Sequence, residues 1–362
     1  MKIRKSNLEA LRIVAIILVL YIHAFGLISG MGYTGLGREI TVLANSICNI
    51  GVSCFVLISG YFGIKFGWHK IIRMELMVIF YSLCMTLAGV IFLPDLLKDS
   101  VFETLVKSCL PIASRKYWFY SCYVCLVFMS PFLNKTIDKI EKKLFQKFLL
   151  ALIILFSVFP TFLYFEITMD HGKGLVNMVT LYLLGRWIYL YGNFRINKKR
   201  GALLFLVLVL VNYASHHFPI RLGGIVHTFT MDNSITNIMM AVLLLYLFKD
   251  INMISKKINF AAGNVFAIFI LNTFVMQLVH NHILKFTIDM IHSNWMPLWI
   301  TIEVLLTLFI CSIVEIIRQL IFGKIEENMI QFIMNKSIQS IKFLRKMEIK
   351  KYLAYIKIDD VE

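Results

Sequence analysis

The stretch ALRIVAIILVLYIHAFG, Ala10–Gly26, decides how the chain is read. The ten residues between Arg12 and His23 carry no charge and almost no polarity, as suits the hydrocarbon core of a bilayer. The run follows MKIRKSNLE and ends without a small-residue cleavage site, so it reads as a retained helix and not as a signal peptide. A helix turns about 100° per residue, so eleven steps return His23 to within about 20° of Arg12. The two share one face, roughly 16 Å apart along the axis, with Arg12 at the cytoplasmic boundary and His23 toward the middle or outer half. An ionisable side chain at that depth is costly and by default marks a functional path. Taken alone, Arg12 also fits a snorkelling interfacial cation, and His23 a neutral imidazole bonded to a neighbouring helix.

The rest of the chain agrees with a membrane setting. Of its 362 residues, 59% are hydrophobic and 16% charged, far from the balance of a soluble domain. Further apolar runs lie at about 41–62, 73–93, 117–133, 148–165, 175–191, 202–217, 234–248, 263–282 and 297–321. They predict an all-α polytopic membrane protein, a bundle of about ten transmembrane helices with both termini cytoplasmic. In that orientation 27 of the 37 Lys and Arg fall in cytoplasmic segments and eight outside, as the positive-inside rule requires. Topology therefore accounts for the charge of +16, and with no basic face interleaved with aromatics, no nucleic-acid partner is expected. Residues 1–321 form the expected transmembrane domain. Residues 322–362 read as a basic amphipathic cytoplasmic tail suited to an anionic leaflet, or equally as a partner-binding or disordered tail. No internal repeat or soluble domain is evident, so a site must lie within the bundle or at its mouths. The CxxC of Cys122 and Cys125 sits in an apolar run and reads as packing. His280 and His282, two residues apart, point to different sides of a helix, and no metal site is expected.

Arginine, ten residues and histidine in a first helix resembles the signature of the acyltransferase 3 family, integral-membrane O-acyltransferases of cell-surface polysaccharides. GVSCFVLISGYF, Gly51–Phe62, resembles that family's second-helix pattern, ending here in Ser59, Gly60 and Tyr61. KYWFYSCYVCLVFMSPFL, Lys116–Leu133, resembles its later Trp-Phe helix closing on Ser130 and Pro131. One departure stands in FAIFILNTF, where Asn272 occupies the place of a histidine often found in the family. An amide donates and accepts hydrogen bonds but takes up no proton near neutral pH.

The resemblance implies an acyl-CoA donor from the cytoplasm, most often acetyl-CoA, and an acceptor hydroxyl on an outer-side glycan or its lipid-linked precursor, in a bacterial plasma membrane. Guanidinium groups grip phosphate oxygens in a fork, which makes Arg12, Arg73 and Arg186 the candidate cofactor-binding residues at the inner mouth. Arg73 also fits a positive-inside anchor. Imidazole is best poised to take a hydroxyl proton near neutral pH, so His23 is the candidate base, with a covalent acyl-carrier role equally open. Tyr21, Asn272, Gln277 and Glu303 are candidates to orient it, and Glu303 stands out because a carboxylate in the last helix is itself costly in lipid. Glu75 and Glu315 read as partners for arginines. The arrangement asks for one path through the bilayer, with cations at its inner opening and the imidazole deeper on the same wall. A rival reading is a glycolipid transporter or flippase without acyl-transfer chemistry, disfavoured by the absence of inverted repeats.

Overall fold

A computed structural model describes residues 6–29, 35–94, 100–163, 165–222 and 225–346. The helices in chain order are α1 (Asn7–Ser29), α2 (Leu36–Cys48), α3 (Gly51–Phe62), α4 (Trp68–Phe92), α5 (Val101–Cys109), α6 (Trp118–Lys139), α7 (Lys142–Ile153), α8 (Leu175–Tyr191), α9 (Lys198–His217), α10 (Ile235–Lys249), α11 (Lys256–Gly263), α12 (Val265–Leu278), α13 (Ile288–His292) and α14 (Met296–Lys346). Wider π-helical turns continue α7 through Ile154–Leu163 and α12 through Val279–Ile283. Among the described residues the β-structure is one short antiparallel pairing of Ile220–Leu222 with Ile225–His227. Six helical stretches are long and apolar enough to cross a membrane: Asn7–Ser29, Leu36–Phe62, Trp68–Phe92, Lys142–Leu163, Val265–Ile283 and Met296–Ser337. The other four predicted runs fall on α6, α8, α9 and α10, which are helical but shorter or more polar.

One expectation changes. The run 41–62 is broken between α2 and α3 at Asn49 and Ile50. Helix α3 restarts at Gly51 against α1, where a Cβ would sit 2.7 Å from the Ala15 carbonyl oxygen. Helix α14 runs from Met296 through Lys346, past residue 321. Residues 1–5 and 347–362, which carry the rest of the expected basic tails, lie outside the described residues.

Polar ties fix the inner ends of the bundle. Asn7 Nδ2 donates to the carbonyls of Phe248 (3.1 Å) and Lys249 (2.7 Å) at the end of α10, and Lys249 Nζ reaches the Gly192 carbonyl behind α8 at 2.6 Å. Each tie satisfies carbonyls left over at a helix end. Tyr182 on α8 donates to Asn134 Oδ1 (2.7 Å) and accepts from the Ile64 amide (3.0 Å), joining α8 to α6 and to the chain leaving α3. On the opposite side His282 Nε2 lies 2.8 Å from the Phe92 carbonyl, bringing the ends of α4 and α12 together.

Small residues let α3 and α8 approach more closely than side chains would allow. A Cβ on Gly60 would lie 2.1 Å from the Tyr182 carbonyl oxygen, and one on Gly185 would lie 2.3 Å from that of Leu57. Gly60→Ala should therefore destabilise the protein by about 1–3 kcal/mol, the usual cost of overpacking, seen as a lowered melting temperature in detergent. An unchanged melting temperature would show that the two helices can separate freely.

Candidate functional site

The end of the bundle that carries Arg12 and Arg186 is built by α1, α3 and α8. Arg12 Nη1 lies 2.9 Å from both carboxylate oxygens of Glu9, one turn earlier on α1, where a carboxylate also suits the positive end of the helix dipole. The Arg12 guanidinium sits 5.9 Å from the Phe62 ring, and that of Arg186 sits 5.0 Å from the Tyr189 ring. Tyr61 lies edge-on to both Phe62 (5.5 Å) and Tyr189 (5.2 Å), so an aromatic bridge joins the two arginines. Gly63, at φ +72°, ends α3 and lets the Arg186 guanidinium lie against its backbone. Arg186 Nε is buried without a hydrogen-bond partner, and Arg186 has no carboxylate partner among the described residues. A half-buried guanidinium with no carboxylate beside it is suited to an incoming anion.

A cavity of about 230 Å³ opens beside Arg12, walled by Ser59, Phe119, Tyr123, Phe266 and Phe269 among others. Phe119 and Phe269 meet there with ring centroids 4.9 Å apart. His23 is not among the residues lining this cavity. One turn of α12, from Phe269 to Asn272, separates the cavity wall from the imidazole. The single continuous wall expected from the sequence is thus not seen, since the cavity beside Arg12 does not reach His23.

His23 is half-buried and its Nδ1 is hydrogen-bonded to Asn272 Oδ1. The amide orientation follows from its other bonds: Asn272 Nδ2 donates to the Phe269 carbonyl, and Thr273 donates to Asn272 Oδ1 at 3.3 Å. An oxygen at that place accepts, so His23 Nδ1 donates and Nε2 keeps its lone pair. Nε2 has no partner among the described residues and is not sealed in the interior. Asn272, not Glu303, therefore orients the imidazole. Glu303 Oε1 is instead 2.8 Å from His280 Nδ1, within a buried pair at the outer end of α12 and α14. Tyr21 donates to Thr301 at 3.2 Å and so ties α1 to α14.

The remaining sequence-predicted residues take structural partners. Arg73 hydrogen-bonds Glu327 and lies 3.8 Å from Glu326, joining α4 to the extension of α14. Its neighbour Met74 lines the Arg12 cavity, while Arg73 does not. Glu315 accepts from Arg318 and from Tyr81, as expected of an arginine partner, whereas Glu75 accepts from Tyr120 and not from an arginine.

Sequence reasoning missed the outer side of the site. The connections before α8 and before α10 fold against one another: the Asp232 amide donates to the His171 carbonyl (3.2 Å), and Asn233 Nδ2 donates to Glu166 (3.1 Å). Asn49, in the break between α2 and α3, hydrogen-bonds the Thr230 carbonyl and Asp232. The positive charge of Lys173 reaches both His23 and Asp232. Burial pushes the Asp232 carboxyl up to about 6, against the opposing pull of Lys173 and Asn49. The only signal in the sequence was an Asp-Asn pair directly before a short apolar run.

Asp232 ordinarily titrates at 3.8 and here at about 6. Between those values the folded chain holds a proton that the unfolded chain has released, so this group's contribution to stability falls as pH rises across the window and stays low above it. The gap corresponds to roughly 3 kcal/mol. The melting temperature of Asp232→Asn relative to the unmodified protein should accordingly climb between about pH 4 and about pH 7. A difference that stays flat with pH would contradict the assignment.

Residues 5–316 match the acyltransferase 3 family, described as an acyltransferase domain. No curated protein and no solved structure matches the chain.

Proposed function

The chain belongs to the acyltransferase 3 family, and from this premise we propose that it is a membrane-embedded O-acyltransferase using acyl-CoA. The acyl group, in the simplest case acetyl, comes from the cytoplasmic side. The acceptor is a hydroxyl of an extracytoplasmic polysaccharide or its lipid-linked precursor, and the setting is a bacterial plasma membrane crossed by about ten helices with both termini inside.

The observation that carries the mechanism is the hydrogen bond between His23 Nδ1 and Asn272 Oδ1, from which the tautomer is assigned. With Nδ1–H given to Asn272, Nε2 is the nitrogen left to take a proton. It receives the proton of the acceptor hydroxyl as that oxygen forms a bond to the thioester carbonyl carbon. The carbon–sulfur bond then breaks, CoA leaves as the thiolate, and the imidazolium returns the proton to it. Asn272 accepts from Nδ1–H in both protonation states and so holds the ring through the cycle. Lys173, within electrostatic range of His23, favours negative charge developing on the carbonyl oxygen.

Arg186 supports the donor side, because its charge is unpaired among the described residues and its Nε lacks a partner. Arg12 shares its charge with Glu9 and offers its remaining N–H groups to the cavity. The thioester must pass the Phe119–Phe269 contact to reach His23, so the ring pair turns aside during the cycle.

Purified protein given radiolabelled acetyl-CoA and surface glycan should transfer label. His23→Ala should lower the rate by about 10²- to 10⁴-fold, the usual worth of a general base. Equal transfer by that variant removes His23 from the mechanism. Asn272→Ala should lower kcat by about 10²-fold, as a misplaced catalytic group does, with little change in KM for acetyl-CoA. Arg186→Ala should do the reverse, raising KM for acetyl-CoA about tenfold or more while kcat is largely kept.

A further inference from the structure

A second cavity, of about 210 Å³, lies between the later halves of α4 and α12 and the start of α6. Along α12 it is lined from Ile270 to Gln277, whereas the cavity beside Arg12 is lined from Val265 to Phe269. The two succeed one another along the helix, the second farther from Arg12. Thr273, which lines the second, donates at 3.3 Å to Asn272 Oδ1, the oxygen that also receives His23. This wall is thus two hydrogen bonds from the imidazole.

Lys116 is the one charged residue lining the cavity. Its Nζ donates to Ser108 Oγ (2.5 Å) and Thr86 Oγ1 (3.3 Å). Both hydroxyls pass their own protons to helix carbonyls, Thr86 to Ser82 (2.8 Å) and Ser108 to Thr104 (2.7 Å). The ammonium therefore meets neutral acceptors only, and among the described residues no carboxylate pairs with it. An ammonium has three N–H donors, so one is left without an acceptor among the described residues. Burial holds the group below the ordinary lysine range. Tyr117, also on the wall, accepts from Ser82 Oγ at 3.1 Å and keeps its own proton to give. Gln277 adds an amide, and Ile270 and Phe274 supply an apolar side.

We propose that the acceptor is an acidic sugar, whose carboxylate rests on Lys116 and whose hydroxyl is turned toward His23. A desolvated cation among neutral groups gains most from an anion placed beside it. One lysine with no second cation on the wall balances one negative charge, which matches a carboxylate and leaves a phosphate dianion in excess. The unspent tyrosine proton and the amide suit ring hydroxyls, and the apolar side suits the C–H face of a sugar. The direction of the hydroxyl rests on the acyl-transfer reading above, while binding of the acid does not.

The test is binding to the purified full-length protein without acyl-CoA, at neutral pH. The probes are glucuronic and galacturonic acids, the methyl ester of each, acetate and inorganic phosphate. At least one of the two acids should bind tenfold or more tightly than its ester, the worth of one charge-assisted hydrogen bond, and more tightly than acetate or phosphate. Lys116→Gln should erase the preference for acid over ester. Gln277→Glu, which places a carboxylate on the same wall, should reverse it. The proposal is overturned if both esters bind as well as the acids or if Lys116→Gln keeps the preference. Acetate or phosphate binding as tightly, with the same dependence on Lys116, would mark a bare anion hole and overturns it too. Should Lys116→Gln show no melting transition, Gln277→Glu decides, and an undiminished preference there is fatal. Label transfer to a neutral glycan with no binding of either acid defeats this inference alone; binding of the acid without label transfer to any glycan defeats only the acyl-transfer reading.

Discussion

The hydrogen bond between His23 and Asn272 is the contact on which the rest of the site depends. In an apolar bundle an imidazole must find its partner in protein, because lipid offers none. The amide meets this need in one direction only. Its nitrogen is committed to the Phe269 carbonyl and its oxygen receives both Thr273 and His23. A histidine at position 272 could exchange a proton with its neighbour; asparagine cannot. The imidazole is therefore held in one tautomer, whose second nitrogen keeps its lone pair. The same bond sets α1 against α12, and through α1 it fixes where Arg12 stands relative to the reacting depth.

Around that centre the charged groups pair in layers, though Glu303 Oε2 is buried without a partner. At the inner end Glu315, Arg318 and Glu326 form a connected set, and Arg73 and His69 reach it through Glu326 and Glu327. At the outer end His280 and Glu303 pair in the interior where α12 widens into a π turn, a local geometry frequent at functional sites. Against this background of compensated charge, Arg186 and Lys116 stand out, one toward each face. Ion pairs hold helices together, whereas an unpaired desolvated cation weakens the apo protein and is relieved by an anion.

Much of the helical framework was legible in the sequence, because apolar runs of membrane length have few alternatives. The first helix, the spacing of Arg12 and His23, and the closing segment of α14 follow from hydropathy and helical period. The break after Cys48 was hidden, since Asn45, Ser46 and Asn49 lie in a stretch whose mean hydropathy remains high. Partners across the bundle were not legible either. Glu303 was conspicuous as a costly carboxylate, but a single sequence carries no information on whether its neighbour is His23 or His280. Arg73 and Arg186 look alike as inner-boundary arginines; only the carboxylates folded against one of them, contributed by residues more than two hundred positions away, tell them apart. Lys173 and Asp232 sit in connections whose composition is ordinary and whose significance comes from depth.

That depth bears directly on the chemistry. Helix α10 has 15 residues and α8 has 17, or about 22 and 26 Å of helix, against a hydrocarbon core of about 30 Å. The connection carrying Asp232 packs on the one before α8 through the Asp232 amide and the His171 carbonyl, and Asn49, in the break after α2, hydrogen-bonds Thr230 and Asp232 there. Irregular backbone at such depth is tolerated only where it is buried in protein or lines a polar cavity. Here it brings charged and amide groups from the outer loops down toward His23.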